Sequence, residues 1–181
     1  MRILAAFMAW MLRTAEIADA ERMARAVSDG FAAYRSFAPA DWDPPSFEHE
    51  LQLLERGLPT PDVWALLAET PSGDLAGHVA IRSAATTAVS PSVEPGLAHF
   101  WQLFVAEAHQ GTGLARVLHD EALRAAEERG FRALRLFAAA GQTRARRFYE
   151  REGWIAEGPP YLLEGFGMDV VEYRRPISSN V

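Results

Sequence analysis

The residues best placed to do chemistry lie in one stretch, Gln110-Gly111-Thr112-Gly113-Leu114-Ala115-Arg116, directly after an apolar run that ends Leu103-Phe104-Val105. Glycines that open a helix let backbone N–H groups approach an anion, and the helix N-terminus adds partial positive charge. The stretch therefore reads as a phosphate or pyrophosphate cradle. Two nucleotide-binding patterns fail on it. A Walker A loop needs Lys and then Ser or Thr after its last glycine, where Leu114 and Ala115 stand. A dinucleotide fingerprint needs a small residue in place of Arg116 and an acidic residue about 20 positions on, where Phe131 and Arg132 stand.

What fits is Gln-x-x-Gly-x-Ala, at Gln110, Gly113 and Ala115. This resembles the acyl-CoA pyrophosphate loop of the GNAT superfamily of N-acetyltransferases. Residues Ala145 to Trp154 are similar to the family's Ala-x-x-Phe-Tyr-Glu-x-x-Gly-Phe segment, with Trp154 in place of the final Phe. The resemblance implies acetyl-CoA as co-substrate, an amine as acceptor and no metal. It implies that a pantetheine arm pairs with Leu103, Phe104 and Val105. Backbone N–H groups of Gly111, Thr112, Gly113, Leu114 and Ala115, with Gln110 and Arg116, would hold the pyrophosphate. A main-chain N–H near Phe104 or Val105 would face the thioester carbonyl. Tyr149 matches the tyrosine that protonates the departing thiolate; a phenol, with an ordinary pKa of about 10, keeps its proton at neutral pH. Gln142 stands where many members carry Asn, within reach of a pantetheine amide. Register counted back from Val105 puts His99 where many members carry a catalytic Glu. Imidazole is a competent base, and ordered water is the alternative.

Other chemistry finds less support. The histidines at 49, 78, 109 and 119 are scattered, and no pair has metal-ligand spacing on a helix. No Gly-x-Ser-x-Gly elbow occurs. Tyr34, Trp42, Trp64, Trp101 and Tyr161 are candidate walls of an acceptor pocket. Asp41 and Asp43 are candidate attractors of an ammonium, and the resemblance implies that the loop from Phe37 to Pro45, where the family often binds acceptors, is the seat of specificity.

The elements that must position these groups follow from periodicity. A first strand runs from about Trp10 to Thr14. Asp19 is the expected N-cap of a helix whose apolar side carries Met23, Val27, Phe31 and Tyr34. Ser46 caps a short helix with Phe47, Leu51 and Leu54 inward and Gly57 at its end. Val63 to Glu69 and Leu75 to Arg82 form a hairpin around Ser72-Gly73-Asp74. Ala84 to Gly96 is a loop, and Leu97 to Val105 is the central strand. After the cradle, Leu114, Val117, Leu118, Ala122 and Ala125 mark a long helix that Gly130 terminates. Phe131 to Ala139 is a strand and Thr143 to Glu152 a helix. Trp154 to Glu157 and Met168 to Arg174 are closing strands.

The order resembles the GNAT fold from Trp10 to Pro176. It implies an α/β (mixed α+β) domain with a central mixed, mostly antiparallel sheet flanked by helices.

With 181 residues, 49% of them apolar, the chain suits a single domain over 1–181 with a sizeable core. Residues 1–9 are a candidate N-terminal extension; the apolar run from Ile3 to Leu12 is too short to span a bilayer and lacks a convincing signal-cleavage site. The net charge of −6 argues against a nucleic-acid surface. The lack of cysteine excludes disulfides and thiolate chemistry and fits the cytoplasm. The expected partner is a small-molecule or peptide amine, with neither nucleic acid nor membrane; homodimerisation is left open. The reading is an acetyl-CoA-dependent N-acetyltransferase acting by direct attack in a ternary complex. A non-catalytic acyl-CoA-binding module is the alternative.

Overall fold

A computed structural model describes residues 10–177; the expected N-terminal extension, residues 1–9, lies outside them. Strand β1 (Met11–Thr14) leads through a 3-10 turn into α1 (Ala20–Ala32) and then α2 (Phe47–Gly57). Strands β2 (Trp64–Glu69), β3 (Leu75–Ser83) and β4 (Leu97–Val105) follow. After them come α3 (Leu114–Glu128), β5 (Ala133–Ala139), α4 (Thr143–Arg151), β6 (Ile155–Ala156), β7 (Tyr161–Leu163) and β8 (Met168–Pro176). The strands form one sheet in the order β1-β2-β3-β4-β5-β8-β6, with β7 also on β8. Every pairing is antiparallel except β4 with β5. That parallel step needs a crossover, which α3 supplies. No helix among the described residues is long and apolar enough to cross a membrane.

Each sheet face has its own core. On one face, Leu114, Leu118, Ala122 and Ala125 of α3 pack on Val79, Ile81, Phe100 and Leu136. On the other, Met23 and Ala24 of α1 and Leu54 of α2 pack on Ala65, Leu67 and Ala80. A third cluster joins the end of α1 to the following loop and to β8 through Val27, Phe31, Trp42 and Met168.

Local departures from expectation have physical causes. Val117 is 37% exposed, because residues 114, 118, 122 and 125 already fill the buried stripe and 117 lies at its margin. Asp19 does not cap α1. Its carboxylate accepts from the Glu16 N–H and from both terminal nitrogens of Arg13, closing the preceding 3-10 turn. Tyr34 lies in a 3-10 turn beyond α1. Strand β7 falls between two glycine turns and has only three residues, too few to show alternation. Arg135, on the face opposite Leu134 and Leu136, is 3% exposed, because residues Thr87 and Ser90 of the 84–96 loop fold over it and accept its hydrogen bonds.

Candidate active site

The site begins with a fault in the sheet. Strand β4 pairs with β5 only at Leu97, Ala98 and His99. On its other side, Ala80 faces Gln102 and Ile81 faces Phe100, so Trp101 is an extra residue in β4. A bulge of this kind bends its strand and sharpens the local twist. Beyond it β4 diverges from β5, and the edge from Phe100 to Val105 has no strand partner on that side. The gap is part of a cleft of about 1780 Å³, lined by Leu103, Phe104, Val105, Phe137 and Ala138 among others. Single-ligand pockets usually measure about 300–1,000 Å³, so this one has room for two substrates.

The glycine loop closes one end. Gly111 (φ +77°) and Gly113 (φ +93°) adopt left-handed backbone, and a Cβ on either would meet no atom within 4 Å. The space above both is therefore open. The amide N–H groups of residues 111–115 find no acceptor among the described residues. Gln110 staples this loop in place: its Nε2 donates to the Val105 carbonyl (3.2 Å), and its Oε1 accepts from Arg144 (2.7 Å). Gln110, Gly111, Gly113, Ala115 and Arg116 line the cleft. Thr112 donates to the His109 carbonyl and the Leu114 side chain is buried in the core; these two expected cofactor residues do not line the cleft.

Helix α4, tied to the loop through Arg144, supplies another wall. Tyr149 lines the cleft with rings of Phe100, Phe148 and Trp154 around it. Its hydroxyl has no hydrogen-bond partner among the described residues, and burial pushes the phenol well above its ordinary pKa, so it stays protonated. Gln142 lies just before α4, and its Oε1 accepts from the Tyr34 hydroxyl at 3.2 Å, which leaves its amide N–H groups free to donate. Burial raises Tyr34 to about 12.

Trp154 replaces the motif's phenylalanine, and its indole N–H donates to His119 Nε2 at 2.9 Å. His119 must then carry its proton on Nδ1, which donates to Asp120 at 2.9 Å. His119, Asp120 and Glu152 form the one grouping of potential metal ligands among the described residues, and both imidazole nitrogens are already engaged there.

His99 lines the cleft wall beside Phe137, with its rings 5.4 Å apart, but not where register placed it. Counting back six residues from Val105 assumes an unbroken strand. The Trp101 bulge intervenes, so Ala98, Phe100, Leu103 and Val105 share the α3 side and His99 faces the opposite one. Burial, then the positive charges of Arg135 and Arg82, push its pKa to about 3, so the ring is neutral and a weak base.

Of the expected acceptor walls, Tyr34 and Trp101 line the cleft and Trp42, Trp64 and Tyr161 do not; the 37–45 loop reaches it through Phe37 and Pro45, but its candidate ammonium attractors Asp41 and Asp43 do not. Trp42 packs on Phe31 and donates to the Phe166 carbonyl at 2.9 Å. In their place the cleft presents Glu50, which sequence reasoning passed over. A signal was there: with Phe47, Leu51 and Leu54 facing inward, position 50 falls on the same helical stripe.

The sequence model of the acetyltransferase (GNAT) family matches residues 28–154. The chain belongs to this family. As a GNAT protein it is an acyl-CoA-dependent N-acetyltransferase, and its mixed, mostly antiparallel sheet is the GNAT fold. Solved structures agree in fold. A GNAT-family acetyltransferase from Desulfovibrio desulfuricans is 24% identical (TM-score 0.69), covering 94% of this chain and 100% of that one. The spermidine/spermine N-acetyltransferase of Vibrio cholerae is 19% identical (TM-score 0.65), covering 92% and 93%. An N-acetyltransferase from Thermoplasma acidophilum, solved with coenzyme A, is 17% identical (TM-score 0.66), covering 91% and 98%. Among curated proteins none matches the chain.

Proposed function

We propose that this GNAT enzyme, a single catalytic domain, moves an acetyl group from acetyl-CoA to a primary amine by direct attack in a ternary complex. The observation that carries the reading is the free edge of β4 running into five unpartnered amides, with the Tyr149 hydroxyl on the same cleft. Acetyl-CoA supplies the activated acetyl thioester. The β4 edge at Leu103 to Val105 offers main-chain partners to the pantetheine arm, and the amides of residues 111–115 offer donors to the pyrophosphate. The Gln142 amide N–H groups add a donor beside the arm. A β4 main-chain N–H near Phe104 or Val105 steadies negative charge on the carbonyl oxygen. Tyr149 donates its proton to the departing sulfur. The cytoplasm is the proposed compartment, on the cysteine-free composition.

The test is acetyl-CoA with a panel of primary amines, read as free thiol, together with thermal shift against acetyl-CoA, ATP and NAD. Amine-dependent thiol release, with a shift for acetyl-CoA alone, is expected. A shift with acetyl-CoA but no thiol from any amine would overturn the transfer reading.

A further inference from the structure

We infer that Glu50 is the acceptor's ammonium site and proton acceptor, so that the substrate class is a primary amine that arrives as a cation between α2 and β4. The inference rests on the acetyl-transfer reading above.

The buried acidic residues of the described chain are Asp19, Glu50 and Glu69. Two of them show what this fold does with a structural carboxylate. Asp19 pairs with Arg13 at 2.7 Å, and Glu69 with Arg13 at 3.0 Å and Arg22 at 2.8 Å. Glu50, 6% exposed, has no such partner: burial alone acts on its carboxyl, with no contribution from any charged group. A buried carboxylate without a counter-charge is costly, so an incoming cation would be favoured there, and Glu50 lines the cleft by which one can arrive.

The carboxylate is also oriented. Gln102 Nε2 donates to Glu50 Oε2 at 3.4 Å, and Gln102 Oε1 accepts from His78 Nε2 at 3.1 Å. Burial lowers His78 to about 4, so it stays neutral and donates rather than competing as a base. Gln102 and Phe104 share the face opposite Leu103 and Val105. The bulge at Trp101 thus turns Gln102 toward α2 while the free β4 edge still faces the gap. With burial alone raising it to about 7, Glu50 suits proton transfer near neutral pH.

The step balances. The acceptor arrives as R–NH3+, and Glu50 takes one proton, leaving R–NH2 and a carboxylic acid. The nitrogen lone pair bonds to the acetyl carbon, and the C–S bond breaks with its electron pair on sulfur. Sulfur takes the Tyr149 proton, the second proton lost by nitrogen restores Tyr149, and Glu50 releases its proton to water.

The experiment compares wild type with Glu50→Gln and Glu50→Asp, each checked for acetyl-CoA affinity by calorimetry. Turnover is measured from pH 5.5 to 9 with ethylamine and with 2,2,2-trifluoroethylamine, whose weakly basic nitrogen is neutral at pH 7, alongside the best amine of the panel. On α1, α2, β3 and β4 the other ionisable groups that line the cleft are Arg22, Arg25, Asp29, His49, Arg82 and His99, and these, like every other titrating group of the cleft, are common to all variants. For Glu50→Gln, kcat/KM for the cationic amines should fall about 10²-fold or more. The acidic limb near pH 7 should vanish, and the loss for trifluoroethylamine should be much smaller. Glu50→Asp should retain the limb at lower rate. Acetyl-CoA affinity should not change. An unmoved acidic limb, or equal losses for cationic and neutral amines, would overturn the proposal while leaving acetyl transfer intact. No turnover by wild type with any amine would overturn the transfer reading and this proposal with it.

Discussion

Glu50→Gln should make the protein more stable above neutral pH, and by an amount that the site itself sets. Burial lifts the Glu50 carboxyl from 4.5 to about 7. Between those values the folded chain holds a proton that the unfolded chain has released. Folding stability from this group is therefore full below the lower value, falls as pH rises through the window, and is gone above pH 7. A shift of roughly 2.5 units at about 1.36 kcal/mol each makes the loss about 3 kcal/mol. Glutamine is close in shape, accepts the same Gln102 hydrogen bond and does not titrate. Urea unfolding of wild type and variant at pH 5 and pH 8, without substrates, isolates the effect, since every other titrating group is common to both. The variant's advantage should grow by about 3 kcal/mol from pH 5 to pH 8, or about 6–12 °C in Tm. An advantage that is the same at both pH values would refute the claim that the carboxyl is buried without a cation. More stability with less turnover is the trade expected when a functional group is held in an unfavourable site.

Three further outcomes test the rest of the cleft. Tyr149→Phe keeps the ring among its aromatic neighbours and removes the hydroxyl, so kcat should fall about 10²-fold with the acetyl-CoA KM nearly constant; single-turnover kinetics decide whether chemistry limits the rate. Gly113→Val forces a branched side chain into φ +93° and into the open space over the cradle, and calorimetry on folded protein should show acetyl-CoA binding abolished. His99→Ala should leave the acidic limb of the pH–rate profile where it is, because the ring is already neutral down to about pH 3.

Between Leu97 and Arg116 the strand, the turn and the helix start were legible because residue types there answer local demands: an apolar, aromatic-rich run for a strand, and glycine for left-handed backbone where the helix begins. The helices were legible from their stripes. What stayed hidden depended on contacts distant in sequence. Nothing near Trp101 in the chain announces a bulge, since two-against-one pairing is a relation between β4 and β3, and without it His99 is assigned to the wrong face. Periodicity placed Phe47, Leu51 and Leu54 inward but says nothing about whether a charge on the same stripe has a partner, so Glu50 passed unnoticed. The family resemblance of their loop places Trp42 and Asp43 at the acceptor, whereas the 37–45 loop turns Trp42 into the Phe31 cluster.

The short contact between β4 and β5 also bears on how the molecule comes apart. Strands β1 to β4 form a meander of antiparallel neighbours, and β5 to β8 form a second group; within the sheet only three residue pairs, Leu97–Ala133 to His99–Arg135, join them. Such a seam, reinforced by α3 packed across both groups, is where cooperativity is weakest, and sub-global opening should begin there. A ligand lying along the free β4 edge adds a stay across that seam. Its binding energy then tightens the whole sheet rather than one loop, and amide exchange from Phe100 to Val105 should slow together with exchange in β5 and β8.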